Sequence, residues 1–144
     1  MTNQALLMLA AGIGVPILAA LNAALGRIIG SPSAAAMVLF FIAFLVAIAA
    51  VIVTGTDAIS KLSAAPKHLF LGGLLIAFYL LSITYVAPSF GIGNAVFFVL
   101  IGQLISSAAI DHFGLFMAQS TPLNWTRAAG IAVMAVGVLI TQRA

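Results

Sequence analysis

The sequence predicts an all-α integral membrane protein with five transmembrane helices, and two observations carry that prediction. The chain contains five apolar stretches, each close to the roughly 20 residues that a helix needs to cross a bilayer core. Its composition is 65% hydrophobic and 5% charged, whereas a soluble domain carries about 25% charged residues. Because the stretches leave little other chain, we expect a single membrane domain over residues 1–144. The predicted helices cover residues 6–25, 34–53, 68–87, 91–110 and 122–141.

The first stretch is predicted to be a retained helix rather than a secretory signal. No basic residue precedes it, and it is longer than the apolar core of a typical signal peptide. Gly14 and Pro16 predict a break in this helix, since proline removes a backbone hydrogen bond and clashes with the preceding turn. Many transporters bind their solute at such a break near the middle of the membrane.

The junctions between stretches carry helix start and turn signals. Ser31-Pro32 predicts an N-cap followed by proline at the first helical position, which opens the second helix. Thr121-Pro122 predicts the same arrangement at the start of the fifth helix. Residues 88–91 predict a tight connection, so the third and fourth helices are expected to be antiparallel neighbours.

The basic residues are few and scattered, which excludes a nucleic-acid surface and gives only a weak orientation signal. Five spans place the termini on opposite sides of the membrane, with three of the five Lys and Arg residues on the N-terminal side and two, Arg27 and Arg143, on the other. Because the two sides carry nearly equal numbers of basic residues, the split favours insertion in both orientations, or pairing with an oppositely oriented partner. An odd helix count also forbids two equal halves within one chain. We therefore expect half of an inverted-repeat transporter, completed by dimerisation.

Polar residues inside the apolar stretches are the candidate solute contacts, because hydrocarbon penalises unpaired polar groups. Asn22 follows the predicted break; its alternative role is a hydrogen bond that joins two helices. Gln103 and Ser107 share one face of the fourth helix, with Asn94 on the opposite face. Gln103 can both donate and accept, but it could equally form a structural bond. Asp111 lies at the membrane edge, where we expect it to cap a helix or to be solvated at the interface.

Tyr79, Ser82 and Tyr85 form a stripe along the third helix. Aromatic residues with a hydroxyl can line a path for lipophilic or cationic solutes, although packing is the favoured interpretation. In the fifth helix, Gly130 and Gly137 lie on one face and suit close dimer packing. The chain has no Cys, and its two acidic residues lie near helix ends. We find no pattern for catalysis, a metal or a cofactor, and expect no enzyme.

Two blocks of residues, taken in order, carry a family resemblance that covers essentially the whole chain. The first is Asn22-Ala-Ala-Leu-Gly26-Arg27, followed by Gly30-Ser31-Pro32 and Ala35-Ala36; the second is Gly102-Gln103-Leu104, Ser107 and Asp111-His112-Phe113-Gly114. They resemble the YdcZ-like family, a five-helix branch of the drug/metabolite transporter (DMT) superfamily. The resemblance implies a multi-pass exporter of the bacterial inner membrane that works as an antiparallel, dual-topology homodimer or as a pair of opposed homologues.

Two departures limit what the resemblance implies. Family members often have Gln one turn before the residue that matches Asn22, where this chain has Leu18. The solute path is then less polar, or a partner supplies the polarity. The Gly130–Gly137 spacing is similar to that of the dimerising last helix of small multidrug resistance transporters. Their essential first-helix Glu has no counterpart here, so proton-coupled multidrug efflux is not implied.

The leading expectation is a small dimeric transporter that exports small metabolites or drug-like solutes by alternating access between oppositely oriented protomers. Asn22 and Gln103 contact the solute, Tyr79 and Tyr85 line the walls, and the fifth helix holds the dimer. The alternative is a non-transporting membrane subunit that binds lipid or stabilises a partner complex. A passive channel is the weaker third option.

Overall fold

The computed structural model describes residues 2–141, and the regular structure in that range is entirely helical. The five α-helices are α1 (Asn3–Ile28), α2 (Pro32–Thr54), α3 (Leu71–Phe90), α4 (Ile92–Phe113) and α5 (Trp125–Thr141). Short 3₁₀ segments cover Asp57–Ala64, Lys67–Phe70 and Leu115–Met117. The predicted all-α class is confirmed.

Four helices are long and apolar enough to cross a membrane: α1, α2, the segment Lys67–Phe90 that ends with α3, and α4. The fifth, α5, is apolar but has only 17 residues. Five membrane-spanning helices, and completion of the fold by a second copy, therefore stay predictions. Arg143, one of the residues used for the charge split, lies outside the described residues.

One predicted N-cap is confirmed and the other is wrong. The Ser31 hydroxyl accepts from the Ala34 N–H at 3.2 Å, with Pro32 at the first helical position. At the other site, α5 begins at Trp125, three residues after Pro122. Asn124 is the capping residue there, because its Oδ1 accepts from the Arg127 N–H at 2.8 Å. Asparagine is a stronger N-cap than threonine, and it lies immediately before the continuous apolar helix.

Helices α1 to α4 extend beyond the apolar stretches, and each is followed within two residues by a glycine with positive φ: Gly30, Gly55, Gly91 and Gly114. Gly91 (φ 89°) is the single residue between α3 and α4. The predicted connection over residues 88–91 is therefore shorter than expected. Pro88 lies inside the last turn of α3, and the Gly91 N–H donates to the Ala87 carbonyl at 3.0 Å.

Contacts divide the chain into two units, one up to Ile92 and one from Gly93 onward. In the first unit, α1, α2 and α3 pack against one another. Their buried residues include two stripes with the same helical spacing: Ala19, Asn22, Ala23 and Gly26 in α1, and Leu80, Ile83, Thr84 and Ala87 in α3. The single membrane domain over residues 1–144 stays a prediction.

The outer surface of the helices is apolar. In the four membrane-length helices, only 6% to 17% of the most apolar window is buried. Large side chains such as Phe41, Val53 and Leu74 are more than half exposed. A helix that is apolar all round is typical of a lipid environment, where an exposed leucine carries no penalty.

Candidate functional site

Asn22 is the buried polar residue around which the candidate site is built. It lies in α1, is 3% exposed, and faces α3 with the small residues of its stripe. Its Nδ2 donates to the Thr84 Oγ1 at 2.6 Å, and the Thr84 hydroxyl donates to the Leu80 carbonyl at 2.7 Å. The predicted helix-joining role of Asn22 thus has a specific partner, 62 residues away in the sequence.

The Thr84 hydroxyl fixes which way the Asn22 amide points. A hydroxyl has one hydrogen, and in Thr84 that hydrogen goes to the Leu80 carbonyl. Towards Asn22 the hydroxyl can therefore only accept, so the amide must present its nitrogen to Thr84. The carbonyl oxygen Oδ1 then lies on the other branch of the amide, and it makes no hydrogen bond within residues 2–141.

A groove between α1 and α2 runs past Asn22. It has a volume of ≈ 320 Å³. Its walls are Leu18, Leu21 and Leu25 on α1 and four aliphatic residues between Val38 and Ala43 on α2, and Asn22 is the polar residue that lines it. A concave apolar surface with few placed polar groups is the usual form of a small-molecule site.

The predicted stripe on α3 does not form one surface. Tyr85 is 74% exposed, Ser82 is half-buried, and Tyr79 is half-buried with its hydroxyl oxygen buried and without a partner in the described part of the chain. The residue on α3 that contacts Asn22 is Thr84, which the sequence reasoning missed. The sequence feature that could have identified Thr84 is the spacing of Leu80, Ile83, Thr84 and Ala87, which matches the spacing of the buried stripe of α1.

The candidate residues on α4 belong to the second unit. Gln103 is exposed and its side chain makes no hydrogen bond within residues 2–141, so the amide is available to a ligand or another surface. Ser107 is also exposed, and its hydroxyl donates to the Leu104 carbonyl at 3.1 Å. Asn94 is half-buried. The joint action of Asn22 and Gln103 on one solute stays a prediction.

Helix α1 is continuous through Gly14 and Pro16, so the helix assignment contains no interruption there. Pro16 has no N–H to donate, which leaves the carbonyl of Gly12, one turn earlier, without its usual helical partner. A Cβ added at Gly12 or Gly14 would meet nothing within 4 Å. The predicted break is thus not seen in α1, and a role for this place in solute binding stays a prediction.

The glycines of α5 lie on an open face. Gly130 and Gly137 are both exposed, and a Cβ on either would meet nothing within 4 Å. Gly26, in contrast, lies at a close helix contact, since a Cβ added there would lie 3.2 Å from the Pro32 Cα. Dimer packing through Gly130 and Gly137 therefore stays a prediction, on a surface that is free in this chain.

A cluster of polar contacts joins the end of α4 to the start of α5. Asp111 forms an ion pair with Arg127, and the Asp111 carbonyl accepts from the Thr121 N–H at 2.8 Å. The His112 Nδ1 accepts from the Leu123 N–H at 2.9 Å. Asp111 is therefore paired rather than only solvated, and the Arg127 side chain bonds within the chain. We call these contacts the α4–α5 clasp.

The clasp borders a second groove, of ≈ 440 Å³, between α4 and α5. Its lining is aliphatic and aromatic except for His112, whose Nδ1 already accepts from Leu123. Within residues 2–141, no group of three metal-ligating side chains lies close enough to hold an ion. The groove beside Asn22 is therefore the stronger candidate for solute recognition.

Comparison with protein families gives one match, which covers residues 4–140 and is described as "Putative inner membrane exporter, YdcZ". The chain belongs to this family. The YdcZ family assignment agrees with the resemblance seen in the sequence, and with four membrane-length helices it makes the chain a multi-pass inner membrane protein. Comparisons with curated proteins and with solved structures gave no match.

Membership of the YdcZ family also sets the broad class of activity. The family is one of exporters, so the chain is a membrane transporter rather than an enzyme. Both blocks of resembling residues lie within the matched range. Asn22 lies in the first of these blocks and Gln103 in the second.

Proposed function

We propose that this YdcZ family member transports small metabolites or drug-like solutes by alternating access, as an antiparallel dimer of two inverted copies. The observation that carries the proposal is the buried amide of Asn22 beside an apolar groove. A polar group at that depth is costly in a membrane protein unless it is bonded or functional. One branch of the amide is bonded to Thr84, and the other is left for a solute.

The dimer rests on three features of the chain. The three-to-two split of basic residues gives neither orientation a strong advantage. An odd number of spans requires a second chain to complete an inverted repeat. The exposed Gly130 and Gly137 on α5 offer a face where two helix backbones can approach closely. In this proposal the two protomers take inequivalent conformations, and their exchange moves the site from one side of the membrane to the other.

The α5 contact can be tested by cross-linking because the chain has no cysteine of its own. In an antiparallel pair that crosses midway between the glycines, Gly130→Cys in one copy faces Gly137→Cys in the other. We expect the mixed pair to form a disulfide faster than either variant with itself. Ala132→Cys and Leu139→Cys, which have the same spacing on the opposite face, are the matched control. Faster self-pairing of Gly130→Cys would indicate a parallel dimer and contradict the proposal.

Transport is tested at Gln103, which the proposal places on the solute path. Gln103→Cys should react with a membrane-impermeant maleimide from either side of the membrane, since alternating access brings water to it from both. Ile105→Cys, which is also exposed but on a different face of α4, should stay unlabelled in lipid. Absence of labelling at position 103 from both sides would overturn the proposed path.

One observation favours the alternative, a non-transporting subunit that binds lipid or stabilises a partner complex. Such a subunit satisfies its polar residues internally, as the bond between Asn22 and Thr84 does in part. Gln103 differs from Asn22, because it is exposed and unbonded within the described residues. The labelling experiment therefore separates the two functions, since a structural Gln103 would be unreactive in the assembled membrane protein.

A further inference from the structure

We propose that the groove between α1 and α2 selects apolar solutes that carry an N–H or O–H hydrogen-bond donor, with Asn22 Oδ1 as the acceptor. This inference rests on the proposed function, because it assigns a substrate class to the same site. It goes further by giving the amide one fixed orientation, with Oδ1 as the group that meets the solute. A free asparagine serves donors and acceptors alike.

The fixed orientation comes from the chain of bonds from Asn22 to Thr84 and on to Leu80. Reversing the amide would bring its oxygen against the Thr84 hydroxyl, whose one hydrogen already goes to the Leu80 carbonyl. Two acceptors would then face each other at about the 2.6 Å that now separates the bonded atoms. With the amide held in this way, an acceptor-only solute can use only the second hydrogen of Nδ2, on the branch that contacts Thr84. A donor meets Oδ1 on the other branch.

The groove walls define the rest of the substrate. Leu18, Leu21 and Leu25 give an aliphatic surface on α1, and the facing residues of α2 are also aliphatic. No charged residue lines the groove, so a charged solute would lose its hydration without gaining a counter-ion. The volume of ≈ 320 Å³ is at the lower end for ligand pockets, which fits a small body of one or two rings.

The test compares two probes of nearly the same shape, 1-naphthol and 1-methoxynaphthalene, on the purified full chain in lipid nanodiscs. Binding to empty nanodiscs is subtracted to remove partition into lipid. We expect naphthol to bind roughly three- to tenfold more tightly, the range that one neutral hydrogen bond contributes. In Asn22→Leu the two probes should bind equally.

A second variant tests whether the Thr84 hydroxyl holds the Asn22 amide in its orientation. Thr84→Val leaves the Asn22 amide in place but frees it to turn, so the preference for naphthol should shrink. The acceptor-only probe 1-acetylnaphthalene should gain affinity at the same time. Thr54→Val is the matched control, since the Thr54 hydroxyl makes the same bond to the carbonyl four residues earlier, at 2.9 Å, at the exposed end of α2. That control should leave all three affinities unchanged.

Equal wild-type affinity for naphthol and its methyl ether would overturn the inference, as would a preference that survives Asn22→Leu. A gain in affinity for the acceptor probe in Thr84→Val supports the role of Thr84 in orienting the amide, even if Asn22→Leu does not fold. The Gln103→Cys labelling keeps this separate from the proposed function. Donor-selective binding, with no labelling of Gln103→Cys, would support the donor site and overturn the proposed transport path. Labelling of Gln103→Cys without donor-selective binding would support the transport path and overturn the donor site.

Discussion

The bond between Asn22 and Thr84 is predicted to stabilise the packing of α1 against α3 as well as to orient the amide. Thr84→Val keeps the shape of the side chain but removes the acceptor from an amide that is 3% exposed. Leaving a buried donor unpaired costs about 1–3 kcal/mol, and hydrogen bonds between membrane helices average about 0.6 and reach about 1.7 kcal/mol. We therefore expect the free energy of unfolding to fall by about 1–2 kcal/mol.

Asn22→Leu should cost less, because the Thr84 hydroxyl keeps its bond to the Leu80 carbonyl. The double variant should be close to Asn22→Leu alone, since no amide then remains unpaired. The two changes are thus expected to be non-additive by about 1 kcal/mol. The measurement is unfolding of the purified protein in mixed micelles with increasing SDS, followed by circular dichroism. A double variant whose loss equals the sum of the two single losses would refute the bond as the source of stability.

Three further predictions concern packing and the α4–α5 clasp. Gly26→Ala places a Cβ 3.2 Å from the Pro32 Cα and should lower stability by about 1–3 kcal/mol. Gly12→Ala, the control in the same helix, meets open space and should raise stability by about 0.5–1 kcal/mol. Thermal melts that shift in the same direction for both variants would contradict the close contact. Asp111→Asn removes the partner of Arg127 and should lower stability by up to about 1 kcal/mol, an effect that added salt reduces in the wild type. Asn124→Ala removes the cap of α5 and should cost about 1 kcal/mol in the same melts, with no loss expected if Thr121 were the cap.

The sequence predicted helices well where one local signal decides the structure. Ser31 is followed by proline and no better cap lies nearby, so the start of α2 was predictable. The start of α5 was not, because Thr121-Pro122 carries the same signal and Asn124 competes with it three residues later. The C-terminal ends of the first four helices were placed too early, because the apolar stretches end before Gly26, Thr54, Pro88 and Asp111. Backbone hydrogen bonding continues past such residues until a glycine adopts positive φ, as at Gly30 and Gly91.

The site was harder to predict, because its partners come from different helices. Asn22 stood out as a lone amide in an apolar stretch. Thr84 did not, since a threonine within a helix commonly satisfies itself by donating to the carbonyl four residues earlier, as Thr84 does with Leu80. Only the relative rotation of α1 and α3 brings the two together. For the same reason the pairing of Asp111 with Arg127, 16 residues away, was not predicted from the sequence.

The unequal lengths of the helices make bilayer thickness a variable of this molecule. With 26 residues α1 is about 39 Å long, and with 17 residues α5 is about 26 Å long, against a hydrocarbon core of about 30 Å. If both cross the membrane, α1 must lean or extend into the head groups, while lipid must thin beside α5. A thicker bilayer relieves the first mismatch and worsens the second. The lipid composition would then bias the tilt of α1, and with it the width of the groove beside Asn22.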